Sequence, residues 1–153
     1  MEKKYKALAL DLDGTLMDSN KKLSDVNKKA VWEAIDVGTA VILASGRPMF
    51  GVLPVARMLE LDKRGGYVLA YNGGNILDCK TGKLVYERYV PKQCIEDICI
   101  AARECDVAPL TYYKDKVISE RADDEYVIKE AFCNSASIMQ VDNIPEFVDY
   151  PVS

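Results

Sequence analysis

The chain contains no histidine. That excludes Ser-His-Asp and Cys-His nucleophile pairs and every zinc site built on imidazole, so any chemistry must come from carboxylates, hydroxyls, lysines or a bound metal. Long apolar runs are missing too. Ala7 to Leu10 is stopped by Asp11, too short for a signal-peptide core or a membrane span, and the expected address is the cytoplasm. There is no surplus of positive charge: 20 basic against 24 acidic residues give a net charge of -4, which draws the chain neither to nucleic acid nor to an anionic membrane. A small-molecule partner is expected instead. The five cysteines are odd in number and form no C-x-x-C pair, so they are expected to be reduced, mostly buried thiols, with Cys99 among apolar residues at helical spacing. No internal repeat or low-complexity segment stands out.

What is present suffices for a core: 49% of 153 residues are hydrophobic, enough for one ordinary domain or two small ones. The run Ala7 to Leu10 suits a strand buried on both faces of a parallel sheet. Ser24 can cap a helix whose apolar positions are Val26, Ala30, Val31, Ala34 and Ile35, and Gly38 stops it. A second strand, Ala40 to Ala44, runs into Ser45-Gly46-Arg47-Pro48, where Pro48 suits a first helical position; Pro54 restarts or kinks a segment ending near Leu61. A third strand, Tyr67 to Ala70, leads to Asn72-Gly73-Gly74 and to a hairpin around Thr81-Gly82 that joins Asn75–Leu77 to Leu84–Tyr89.

This alternation predicts an α/β fold with a partial doubly wound parallel sheet, whose ligands gather beyond the carboxyl ends of the strands. Two strands deliver polar clusters there: Asp11 to Thr15 and Ser45 to Arg47. The pattern then changes. A helix from Pro91 carries Ile95, Ile98, Cys99 and Ala102 as a core stripe, two short strands flank Lys114 to Lys116, a helix runs near Asp123 to Phe132, and a strand covers Ser137 to Val141. The expected division is 1-83 as a core and 84-153 as an incomplete α+β module. The acidic run Asp123 to Glu125 reads as capping at a helix start.

Asp11 and Asp13 stand two residues apart where an apolar strand becomes a loop, so both can address the same space: one can attack while the other moves protons. A calcium loop starting at Asp11 fails, because it would place Leu16 at the glycine position and Lys22 at the glutamate position. Arg47 either meets the substrate or makes a surface ion pair. Asn72, between turn-forming residues, belongs to a special turn.

Asp11-Leu12-Asp13-Gly14-Thr15-Leu16 resembles the first motif of the haloacid dehalogenase superfamily, and Ala44-Ser45-Gly46-Arg47-Pro48 is similar to the second motif of its Cof-type sugar-phosphatase branch. Tyr71-Asn72-Gly73-Gly74 with the following hairpin is similar to that branch as well, and the α+β module resembles the start of its cap. The resemblance implies a phosphatase of small phosphorylated metabolites. Asp11 would be the nucleophile that forms an aspartyl-phosphate, and Asp13 the acid and base. Magnesium would be held at Asp11 and the backbone carbonyl of Asp13. Ser45 and the backbone N–H groups from Gly46 onward would bind phosphate, with Arg47 and Asn72 facing the substrate.

The family's third and fourth motifs, a lysine and a later Gly-Asp with a further acidic or amide residue, do not occur in these 153 residues. Lys63, Lys114 and Lys116 lie in the wrong places to replace the lysine. The family's sheet keeps the Asp11 strand central, so here Ala7 to Leu10 is expected as an exposed apolar edge, in a truncated product with altered packing or in a homo-oligomer that covers it. Two rival readings follow: a catalytically dead remnant that binds phosphate or a partner, and a receiver-like phospho-acceptor, which the cap-like half disfavours.

Overall fold

The structure, a computed structural model, describes residues 5–152; the basic N-terminal stretch through Lys4, and Ser153, lie outside the described residues. The chain divides into two compact units, the first ending at Glu87 and the second beginning at Arg88.

In the first unit a five-stranded sheet runs β1 (Ala7–Leu10), β2 (Ala40–Ala44), β3 (Tyr67–Ala70), β4 (Asn75–Asp78) and β5 (Lys83–Glu87) in spatial order, the first three parallel and the last two antiparallel. The crossovers are α1 (Asp25–Asp36), then α2 (Met49–Met58) followed by α3 (Leu61–Arg64). Their position follows from the alternation of side chains along the strands. Val41, Leu43, Val68 and Ala70 are buried and form one core with Val31 of α1 and Val52, Val55 and Ala56 of α2. Ile42, Ala44 and Leu69 point to the opposite face and are only half-buried.

Local chemistry sets the boundaries. The Ser24 hydroxyl accepts the Asn27 N–H at 3.1 Å and starts α1, and Gly38, at φ 82°, ends it with its N–H on the Ile35 carbonyl. Pro48 is the cap residue of α2 rather than its first helical residue, and the helix passes through Pro54 as one element. Gly66 cannot be replaced without displacement: a Cβ there would lie 3.1 Å from the Val41 carbonyl oxygen and 3.2 Å from Leu61 Cδ2. Trp32 fastens α1 to the end of α2, donating to the Leu59 carbonyl at 2.8 Å while the Arg64 guanidinium stacks 4.5 Å from its ring.

Strand β1 departs from the two-sided burial that its apolar run suggests. Its outward pair, Ala7 and Ala9, is exposed, and among the described residues it pairs only with β2, so it is an edge of the sheet. Val26 is also exposed, on the solvent side of α1. Strand β5 pairs with β4 and belongs to the first unit, which puts the boundary after Glu87 rather than after Lys83.

The second unit holds a three-stranded sheet, β6 (Leu110–Tyr113), β7 (Lys116–Ser119) and β8 (Ser137–Gln140), with β7 central. Helix α5 (Glu125–Asn134) packs Val127 and Ala131 on Val117, with Leu110, Tyr112 and Ile138 around them. Helices α4 (Lys92–Glu104) and α6 (Ile144–Phe147) form a separate cluster through Ile95, Cys99, Ile144 and Val148. Ile98 leaves the expected core stripe, being 53% exposed. Asp124 caps α5, accepting the Tyr126 and Val127 N–H groups. All five cysteines are free thiols, but only Cys99 is fully buried, so the expectation of mostly buried thiols is corrected.

Candidate active site

The site grows from the point where β1 stops. Leu12 is fully buried between Asp11 and Asp13 and anchors the loop, which leaves both carboxylates outside the core. The loop closes on itself: the Leu16 N–H donates to the Asp11 carbonyl at 3.1 Å and the Met17 N–H to the Leu12 carbonyl at 2.9 Å. Gly14, at φ 74°, makes that reversal without a Cβ penalty.

A second loop leaves β2. The Ser45 hydroxyl accepts the Arg47 N–H at 3.2 Å, while the Ser45 N–H donates to Leu69 and its carbonyl accepts from the Asn72 N–H at 3.2 Å. The Tyr71 N–H donates to the Arg47 carbonyl at 3.0 Å, so the loops after β2 and β3 are sewn together. Both Tyr71 and Asn72 sit in the left-handed region, at φ 52° and 53°. That unusual pair turns the Asn72 side chain back over Gly46, where a Cβ would stand 3.0 Å from Asn72 Oδ1.

The result is a cleft of about 320 Å³ lined by Asp11, Ser45, Gly46 and Asn72 together with Ala44, Leu69 and Gly73. Four of the six residues singled out in the sequence therefore share one space. Asp13 and Arg47 do not line it. Arg47 instead grips Asp13 with a two-pronged contact, Nε to Oδ2 at 2.8 Å and Nη2 to Oδ1 at 2.6 Å. The arginine side chain is 11% exposed and the aspartate 37%, so this is a partly exposed ion pair. Lys21 adds a third contact, Nζ to Asp13 Oδ1 at 2.6 Å.

The hydrogen bonds from Arg47 hold the Asp13 carboxyl below its usual range, burial opposes them, and Lys21 reinforces the lowering. Asp13 is thus an anion at neutral pH. As it stands it can accept a proton but has none to give.

Lys21 is the residue that the sequence did not reveal. It lies in a narrow hairpin tied by Met17 and Leu23, at φ 59°, and Asp18 holds that turn by accepting the Asn20 and Lys22 N–H groups at 2.9 Å. No motif or periodicity marks it. Only the left-handed turn brings it back to Asp13.

A hard cation such as magnesium takes oxygen donors and keeps several waters. The Asp11 carboxylate and the backbone carbonyl of Asp13 are donors of that class. They make a partial set: no group of three His, Cys, Asp or Glu side chains among the described residues is arranged to hold a metal. No helix among them is long and apolar enough to cross a membrane.

Comparison with known proteins identifies the family. Residues 8–149 match the family described as haloacid dehalogenase-like hydrolase. A Streptococcus pyogenes protein that carries a phosphatase name is 40% identical over 78 residues, which is 51% of this chain and 29% of the relative. The 5-amino-6-(5-phospho-D-ribitylamino)uracil phosphatase YcsE of Bacillus subtilis is 36% identical over 73 residues, 48% of this chain and 28% of the relative. A crystal structure of a haloacid dehalogenase-like hydrolase from Bacteroides thetaiotaomicron superposes with a TM-score of 0.86 at 36% identity, over 97% of this chain and 56% of that one. The chain spans less than a third of these two relatives and about half of the solved structure.

Proposed function

The chain belongs to the haloacid dehalogenase-like hydrolase family, and from that premise we propose that it carries the nucleophile half of a phosphatase for small phosphorylated metabolites such as sugar phosphates. The observation that carries this reading is the convergence of Asp11, Ser45, Gly46 and Asn72 on one cleft at the carboxyl ends of the parallel strands.

In the proposed reaction an Asp11 carboxylate oxygen attacks phosphorus and the bond to the leaving oxygen breaks, giving an aspartyl-phosphate. The Ser45 hydroxyl and backbone N–H groups after β2 hold the phosphoryl oxygens, and the Asn72 amide orients the substrate. Asp13 first has to take up a proton, which it then passes to the leaving alkoxide. The carboxylate left behind takes a proton from the water that attacks the phosphorus, releasing inorganic phosphate and restoring Asp11. Magnesium, held at the Asp11 carboxylate and the Asp13 carbonyl, would neutralise charge between nucleophile and phosphate.

The contacts on Asp13 favour a second reading, a phosphate- or partner-binding module without turnover. Arg47 and Lys21 keep the carboxylate ionised, and the described residues offer no closed ligand set for a metal. Hydrolysis of an aryl phosphate by chain of verified mass, with and without magnesium, separates the two. Turnover that needs magnesium and falls to the no-enzyme rate in Asp11→Asn is expected. Phosphate binding by calorimetry with no turnover above the Asp11→Asn background would replace the enzyme with the binding module.

A further inference from the structure

Tyr71 holds a conformation that its residue type does not favour. At φ 52° it sits in the left-handed region, where a bulky side chain is an outlier, and Asn72 beside it, at φ 53°, extends the departure. Glycine would take that backbone at no steric cost, so what a tyrosine adds at this position is its side chain. Strain of this kind persists only where the surrounding contacts over-determine it.

Those contacts run to one segment, the start of α2 and the loop before it. The Tyr71 N–H donates to the Arg47 carbonyl at 3.0 Å. The ring packs against the core of the first unit, as Met49 does. Burial pushes the phenol above its ordinary 10.0, and the Met49 backbone N–H, which donates to the hydroxyl, opposes that rise. Met49 is the first residue of α2, so its N–H has no partner within the helix, and the cap residue Pro48 makes no side-chain bond to the first turn. The Tyr71 hydroxyl supplies from a distant loop the acceptor that the cap residue lacks.

Tyr71 thus grips the chain on both sides of Pro48, and the grip reaches the cleft. The Arg47 N–H donates to the Ser45 hydroxyl at 3.2 Å, so that oxygen already holds one donor and keeps its own hydrogen to give. The Asn72 N–H fixes the other end of the loop by donating to the Ser45 carbonyl at 3.2 Å. Between these anchors, Ser45 and Gly46 line the cleft.

We propose that Tyr71 is a positioning residue of the phosphate-binding loop: through the Arg47 carbonyl and the Met49 N–H it holds residues 45–48 in the shape that presents the Ser45 hydroxyl and the Gly46 N–H to a phosphoryl group. This role rests on the phosphatase reading of the cleft for its anion, and on the two Tyr71 contacts for the shape of the loop. Tyr71 is not among the residues that line the cleft and acts only through the loop.

Titration of the 153-residue chain with inorganic phosphate in the presence of magnesium, followed at the Gly46 amide by nuclear magnetic resonance, tests the proposal. Tyr71→Phe keeps the ring and the main-chain bond and removes the hydroxyl; the phosphate Kd is expected to rise about fivefold, the worth of one hydrogen bond. Asp124→Ala, which removes a cap in the second unit, is expected to melt lower yet bind phosphate as the unaltered chain does, separating the shape of the loop from overall stability. Tyr71→Phe with an unchanged Kd overturns the proposal and leaves the phosphatase reading standing, and so does an equal loss of affinity in Asp124→Ala. No phosphate-dependent change at Gly46 in the unaltered chain overturns the phosphate site itself, and this proposal with it.

Discussion

Gly46 and Asn72 show how single residues shape the cleft. The Asn72 side chain rests against Gly46 because its backbone is left-handed and its N–H is committed to the Ser45 carbonyl. Gly46→Ala places a Cβ 3.0 Å from Asn72 Oδ1, so the amide must give way by a few tenths of an ångström. We expect KM for an aryl phosphate to rise about tenfold, or ~1.4 kcal/mol of binding, with the fold retained, as read by steady-state kinetics beside a thermal melt. An unchanged KM would mean that the Asn72 amide does not orient the substrate. The motif pattern singled out Asp11, Asp13 and Ser45 because they follow apolar strands in a fixed order. Lys21 escaped it, because a side chain eight positions away reaches Asp13 only through a turn whose left-handed residue is not a glycine. Arg47 was left open between substrate and ion pair; its fork on Asp13 is a tertiary fact.

At the scale of the element, caps and breakers were readable and burial was less so. Ser24 and Gly38 delimit α1 as their chemistry requires, and Asp124 opens α5 with its carboxylate on two backbone N–H groups at 2.9 and 3.3 Å. Asp124→Ala should therefore cost about 1 kcal/mol in urea unfolding, and Asp124→Asn only a few tenths, since the amide oxygen can still accept. Equal losses for both would shift the cause to the Arg121 contact at 3.4 Å. Periodicity located the helices but overstated their apolar stripes: Val26 and Ile98 sit at helical spacing yet are 77% and 53% exposed. Spacing defines a face, but the width of the buried stripe depends on what packs against it.

For the whole molecule, acid should loosen both units through one mechanism. In the second unit Glu120 is gripped by Arg103, Nη2 to Oε1 at 2.6 Å and Nε to Oε2 at 3.0 Å, and also accepts the Ile144 N–H at 2.9 Å, which ties α4 and α6 to the end of β7. Those bonds, the Arg103 hydrogen bonds foremost, hold its carboxyl below the ordinary 4.5, as Arg47 and Lys21 hold Asp13 in the first unit below 3.8. A depressed folded value contributes stability that is fully present above the ordinary value and is lost as pH falls through the folded one. Melting temperature should thus be flat from neutral pH to about pH 5 and then drop toward pH 3. Glu120→Gln, which keeps an acceptor for Ile144, should melt lower at pH 7 and show a shallower drop; parallel pH profiles would remove Glu120 as a source of the acid sensitivity.

The sequence by itself determined the strand and helix order of the first unit, the loop chemistry at the ends of β1 and β2, and the family. These rest on local signals: apolar runs, caps, glycine turns and short motifs whose residues are close in the chain. Only the tertiary structure decided that β5 completes the first sheet, that Val26 and Ile98 stay exposed, and that Asp13 lies between Lys21 and Arg47 outside the cleft. Each of these depends on which distant segments come to lie side by side, and the free energy that selects such neighbours is spread over contacts that no single stretch of sequence contains.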